Sequence, residues 1–205
     1  MPESVSYQTV NARFQAEIRR IDSTFIAYLD PLEDEMSVKV RLAEIRTEHR
    51  AATHHCYAYR LSGPRGALIE RAADAGEPLH SAGQPILKTL QGHNLCDVLL
   101  TVVRYFGGTK LGIGGLIRAY GDATKAVIAN AQLITKVPQM EFQLSYPYAL
   151  TGAIMRVLQR HQAQIEGIDY GERTTLRARV TLTQAAALQC ELTDATSGQI
   201  EVELG

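Results

Sequence analysis

The spacing of apolar residues along the chain changes period several times, and each change marks an element. Val98 through Val103 is an apolar run broken only by Thr101, which predicts a strand covered on both faces and central in its sheet. Beyond it, Leu116, Ile117, Tyr120, Val127 and Ile128 recur at helical spacing as a core stripe, with Arg118, Asp122 and Lys125 on another face. Upstream, the alternation of Phe14, Ala16 and Ile18, followed by Phe25, Ile26, Tyr28 and Leu29, predicts two strands joined by a polar turn at Asp22 and Ser23. Asp30 and Pro31 end the second strand and open a helix. Its start carries Glu33, Asp34 and Glu35 and its end Arg46, His49 and Arg50, the order the helix dipole favours. Residues 53–61, THHCYAYRL, read as a further strand; a loop with Gly63, Pro64 and Gly66 follows, and Ser81 to Gln91 reads as a short helix.

The composition shifts near Thr135 to Pro138, and the remainder has its own regular pattern. Met140, Phe142, Leu144 and Tyr146 alternate as a strand, and Leu150, Ala153, Ile154, Val157 and Leu158 make a helical stripe. A strand at Gln164 to Tyr170, a hairpin at Gly171 and Glu172, and the alternation Leu176, Ala178, Val180, Leu182 come next. A helix from Gln184 to Ala195 and a strand with Ile200, Val202 and Leu204 complete a ferredoxin-like β-α-β-β-α-β unit. The predicted fold class is α+β, with domains at 1–136 and 137–205. Gln143, Ser145, Arg173, Thr175, Arg177, Arg179, Thr181, Glu201 and Glu203 should face away from its helices. No aromatic residue stands among them, which argues against base stacking on that sheet.

Composition narrows the function classes. The net charge of −1 excludes a protein that grips nucleic acid by bulk electrostatics, so any such role must be local. Cys56, Cys96 and Cys190 lack C-x-x-C spacing, which suggests reduced thiols in a cytosolic setting. No run approaches the roughly 20 apolar residues of a membrane span, and the N-terminus lacks a signal-peptide layout; a soluble, cytoplasmic protein without a membrane partner is expected.

The local candidate is the turn between the central strand and the long helix. Gly107, Gly108, Gly112, Gly114 and Gly115 let a partner approach the backbone, and Arg104, Lys110, Arg118 and Lys125 outnumber Asp122. A basic, glycine-rich entrance to a helix suits anions, although such turns also exist only to let a strand and a helix pack. Two sharper motifs fail. G-x-G-x-x-G would need glycine where Ile117 stands, and in a phosphate loop Lys110 would follow Gly112 rather than precede it.

His54, His55 and Cys56 invite a metal hypothesis, but alternation lets only His54 and Cys56 share a face, and two ligands are too few. In DAGEPLHSAGQP, Asp74 and Glu77 could act as acid and base, with Ser81 a nucleophile near His80. A rigid turn whose carboxylates accept backbone N–H bonds explains the composition equally well.

The segments ATHHCYAYRL, DAGEP, SAGQPIL and VVRYFGGTKLGIGGLIRAYG, in that order and spacing, resemble the YigZ/IMPACT family over about residues 7–204. The resemblance implies an N-terminal domain folded like domain IV of elongation factor G, a ribosomal-protein-like β-α fold, and a C-terminal domain similar to its domain V. It implies a tie to translational control through a partner protein in eukaryotic relatives, and no settled activity in bacterial ones. The chain departs from the family pattern at Ala73 and Ala75, which replace serine and a second aspartate, at His80 and Asp122, which replace glycines, and at Asp22, which replaces a lysine. Losing one of two adjacent acids weakens a metal–carboxylate mechanism, and Asp22 trims the basic surface.

The leading expectation is a non-catalytic binding protein without a cofactor. It would contact RNA, the ribosome or a translation-regulating partner through a groove formed by His54, His55, Asp74, Glu77, Arg104, Gly107, Gly108, Lys110, Gly112, Gly114, Gly115 and Arg118. The alternative is an enzyme acting on a small phosphorylated substrate or nucleotide, against which the GIGGLIRA turn lacks the paired serines of small-metabolite kinases. In a third reading the basic loop only packs its domain.

Overall fold

The computed structural model describes residues 6–63 and 67–204, so Pro64 and Gly66 of the predicted loop lie outside the described residues. Two compact units result, one of 7–63 with 67–136 and the other of 137–204 with Ser6.

The first unit is built on a five-stranded antiparallel sheet. Its elements in chain order are β1 (Tyr7–Thr9), β2 (Phe14–Arg20), β3 (Ser23–Pro31), α1 (Glu35–Glu48), β4 (His54–Ser62), β5 (Leu68–Ala73), α2 (Gly83–Gly92), β6 (Val98–Tyr105), α3 (Gly112–Asn130) and β7 (Ile134–Lys136). The sheet order is β2-β3-β6-β4-β5, with β6 in the middle and buried from Val98 to Arg104. Its continuous apolar run follows from having helices on both faces. Leu100 and Val102 join Phe25, Ala58, Ile86, Leu90, Tyr120 and Val127 beneath α2 and α3. Leu99 and Val103 point the other way, toward Leu42 and Ile45 of α1.

Several boundaries differ from the sequence reading. β3 continues through Pro31, and α1 starts only at Glu35, where the Asp34 carboxylate accepts from the Ser37 amide at 2.7 Å. β5, which the periodicity did not mark, pairs with β4 from Leu68 to Ala73. Ile117 leaves the expected core stripe and is exposed, because one residue along a helix rotates about 100° and Leu116 already holds the inward position. β1 pairs with β7, and Asp97 fastens both to the sheet by accepting from Tyr7 at 2.5 Å, Lys136 at 2.7 Å and the Ser62 amide at 2.8 Å.

The second unit runs β8 (Gln139–Tyr146), a 3-10 turn, α4 (Thr151–Arg160), β9 (Gln164–Tyr170), β10 (Thr174–Thr181), α5 (Leu182–Ala195) and β11 (Glu201–Leu204). The strand order β11-β8-β10-β9 is that of the ferredoxin-like fold, and the α+β class is as expected. Phe142, Leu144, Tyr146, Ile154, Leu158, Leu176, Leu188 and Leu192 form its core; Leu182 opens α5 instead of ending the strand. On the open face Arg179 pairs with Glu141 at 2.6 Å and Glu166 at 2.9 Å, and Arg173 donates to the Ser145 carbonyl at 2.8 Å. Among the described residues no helix is long and apolar enough to cross a membrane.

Candidate nucleic-acid interface

The site lies at the end of the first sheet where β6 finishes and β4 begins. Antiparallel register sets His54 opposite Arg104 and Tyr105 opposite Thr24, so the β2–β3 turn, the start of β4 and the loop after β6 gather at one end. Gly107 allows the closest approach: a Cβ there would fall 1.8 Å from the Asp22 carbonyl oxygen.

Glu77 and Arg104 sit at the centre. Arg104 donates to Glu77 Oε1 at 2.7 Å and to Ser23 Oγ at 3.2 Å, and its guanidinium lies over the rings of Phe25, at 5.5 Å, and Phe106, at 5.3 Å. Tyr120 of α3 donates to the same Glu77 oxygen at 2.8 Å. The Cys56 thiol donates to the Asp74 carbonyl at 3.0 Å and touches the Tyr120 hydroxyl at 3.2 Å. Burial pushes the Cys56 thiol up to about 12 and also raises Tyr120, so both stay protonated at neutral pH. His54 Nδ1 donates to the Ala75 carbonyl at 3.0 Å, and its Nε2 is 3.9 Å from Glu77.

Asp74 serves α2. Its carboxylate accepts from the amides of Ala82 at 3.0 Å and Gly83 at 2.8 Å, which the start of the helix leaves unpaired, and from the His80 amide in the preceding loop at 2.8 Å. Burial opposes its charge, but these amides outweigh burial and hold the carboxyl below its ordinary value. The rigid-turn expectation therefore holds for Asp74, whereas Glu77 accepts from side chains. Ser81 is fully buried and donates to the Pro78 carbonyl at 2.6 Å, so no Ser81–His80 nucleophile is assembled.

His55 points to the α1 face, opposite Val103, and burial lowers its pKa; it does not join His54. Among the described residues no group of three His, Cys, Asp or Glu could hold a metal ion. The open half of the site is the glycine-rich turn. Gly108 and Gly112 have φ of +100° and +69°, and a Cβ at either would meet open space. Gly114 is nearly as open, while Gly115 packs on Leu111. No side chain of Leu111 caps α3 and no acid occupies its first turn. Lys110 and Arg118 are exposed and make no ion pair among the described residues, whereas Asp22 accepts from Thr109 and Asp122 pairs with Arg20.

Structure thus gathers His54, Asp74, Glu77, Arg104 and Gly107 at one end of the sheet around the buried Glu77–Arg104 pair, and leaves Gly108, Lys110, Gly112, Gly114 and Arg118 open beside them. Ser23, Tyr120 and Phe106 belong to the site as well. The sequence marks Tyr120 as a core-stripe residue and Ser23 as part of a polar turn, and it does not single out Phe106.

Comparison with known proteins follows the same division. The model of the Impact N-terminal domain matches residues 21–128, and that of a domain of unknown function, DUF1949, matches residues 144–199. An IMPACT family member of Haemophilus influenzae is 32% identical over 191 residues, 93% of this chain and 92% of the relative. The family member YvyE of Bacillus subtilis is 32% identical over 200 residues, 98% of this chain and 91% of the relative. Protein IMPACT of Xenopus laevis is 36% identical over 93 residues, 44% of this chain but 29% of that protein. The crystal structure of a hypothetical protein, 28% identical, matches with a TM-score of 0.67 over 96% of each chain. With one family model covering more than half of its length and relatives matched almost end to end, the chain belongs to the IMPACT family.

Proposed function

We propose that the protein is a non-catalytic binder of RNA, free or on the ribosome, acting in the cytoplasm through the open half of this site. The observation that supports the reading is that Lys110 and Arg118, both exposed and without a carboxylate partner among the described residues, flank accessible glycine backbone at a helix start with no side-chain cap. Helix-end amides and unpaired cations favour phosphate, and glycine lets a phosphate come within hydrogen-bonding reach of the main chain. In this reading Arg104, neutralised by Glu77, shapes the loop instead of holding phosphate. The buried groups are structural in the same reading: burial keeps the Cys56 thiol and Tyr120 hydroxyl protonated, and Ser81 is sealed from solvent, so none of the three is set up as a nucleophile. The tie to translation that the family resemblance implied enters here as the choice of RNA and ribosome as ligands.

The test is binding of the purified protein to RNA and to ribosomes across a salt series, beside a Lys110→Ala/Arg118→Ala variant. Affinity should fall with salt by about 0.7 log units per log unit of salt for each phosphate neutralised on a single strand, and the variant should lose both binding and slope. Absence of binding at low salt, or equal binding by the variant, overturns the reading.

A further inference from the structure

We infer that Phe106 is a stacking platform for one unpaired RNA base, so that the site takes single-stranded or looped RNA in preference to duplex; this rests on the RNA reading proposed above. Phe106 follows β6 directly and is 44% exposed, although one ring face already lies on the Arg104 guanidinium at 5.3 Å. With one face on the guanidinium, the opposite face and the ring edge are what the side chain has left to offer a ligand. A partly exposed aromatic close in sequence to Lys110 and Arg118, which make no ion pair among the described residues, matches the way proteins hold unpaired nucleotides: the ring stacks on a base while cations take the flanking phosphates.

The buried network fixes the ring from below. Glu77 and Ser23 hold the guanidinium by hydrogen bonds, and the Phe25 ring also lies against it at 5.5 Å. The Phe106 amide donates to Thr53 Oγ1 at 3.3 Å, which ties the backbone of the platform to the residue before β4. A ring held on a buried cation has little freedom left to lose on binding. Gly107 and Gly108 follow at once and bring no side chain of their own to the ring. Ile113 and Ile117 on the first turns of α3 are also exposed, at 59% and 42%. A duplex buries all but its terminal base faces in its own stack and offers no internal base to Phe106.

The chain contains no tryptophan, so Phe106→Trp introduces a single indole reporter at the platform. The probes are a short single-stranded oligoadenylate and an RNA duplex of the same length. On oligoadenylate the indole emission should be quenched with affinity kept, and Phe106→Leu should bind it about 5- to 150-fold more weakly than wild type, with duplex binding unchanged. Thermal melting of Phe106→Leu checks that it is folded, and unchanged duplex binding shows that its cationic surface is intact. If Phe106→Leu binds oligoadenylate as well as wild type, or the indole is not quenched, the platform is overturned while the phosphate reading survives through Lys110 and Arg118. If wild type binds neither probe at low salt, both readings fall.

Discussion

Arg104 reaches across the chain to place a 2.7 Å hydrogen bond on Glu77, and both side chains are almost fully buried, at 6% and 3% exposure. A buried ion pair adds little over an apolar pair of equal size, because removing two charges from water costs about as much as their attraction returns. Its value lies in position. Glu77 also accepts from Tyr120, so one carboxylate fastens the loop before α2 to the central strand and to α3.

Removing one member should therefore be far worse than removing both. Glu77→Ala strands the Arg104 charge and should cost about 3–5 kcal/mol in urea unfolding. Glu77→Leu combined with Arg104→Met should recover a large part of that loss. A double variant destabilised by the sum of the losses of Glu77→Leu and Arg104→Met alone would show that the pair does not couple.

Asp74 gives an acid-sensitive fastening. Its ionised form is the one the folded state binds, through three amides at the start of α2, so its folded pKa lies below the ordinary 3.8. Its stabilisation is then complete above that ordinary value and is lost as pH falls through the lower folded one. Asp74→Asn should lower stability by about 1–3 kcal/mol at neutral pH and flatten the acid limb of a stability–pH profile. A profile that keeps the same acid limb would assign it to another carboxylate, with Asp97 the next candidate, since its folded pKa is also lowered.

Two glycines should respond in opposite directions to alanine. At Gly107 the new methyl would collide with the Asp22 backbone, so Gly107→Ala should displace the turn and destabilise by several kcal/mol, on the order of a severe core defect. Gly121, inside α3 with no heavy atom near the site of a Cβ, should gain about 0.5–1 kcal/mol as alanine. Thermal melts of the two variants side by side check both directions.

Lys110 and Arg118 bear no structural load. The double alanine variant should unfold within about 0.5 kcal/mol of wild type, as exposed sites without partners do. A larger loss would mean that the cations hold the turn together, and any change in RNA binding would then lose its simple meaning.

Legibility followed burial. The ferredoxin-like half was readable because alternation at Phe142, Leu144, Tyr146 and at Leu176, Ala178, Val180 maps directly onto a sheet with one covered face. β5 was not, because it is an edge strand whose Leu68 is half exposed and whose other positions are at most partly buried. Ile117 misled for the same reason in reverse: its apolar side chain fits a core stripe, yet it turns to the surface.

What the sequence determined by itself was the two-part α+β order, the central place of Val98–Val103 and the presence of a glycine-rich turn before α3, since these depend on local period and on residues without side chains. What only the tertiary structure decided was the allotment of charges. Arg104, Lys110 and Arg118 read alike as cations in one short stretch, but register brings His54, Ser23 and Glu77 from distant segments to Arg104 and to neither of the others. A side chain's partner depends on which strands lie side by side, and that pairing is set by the packing of the whole sheet, not by the residues next to it in the chain.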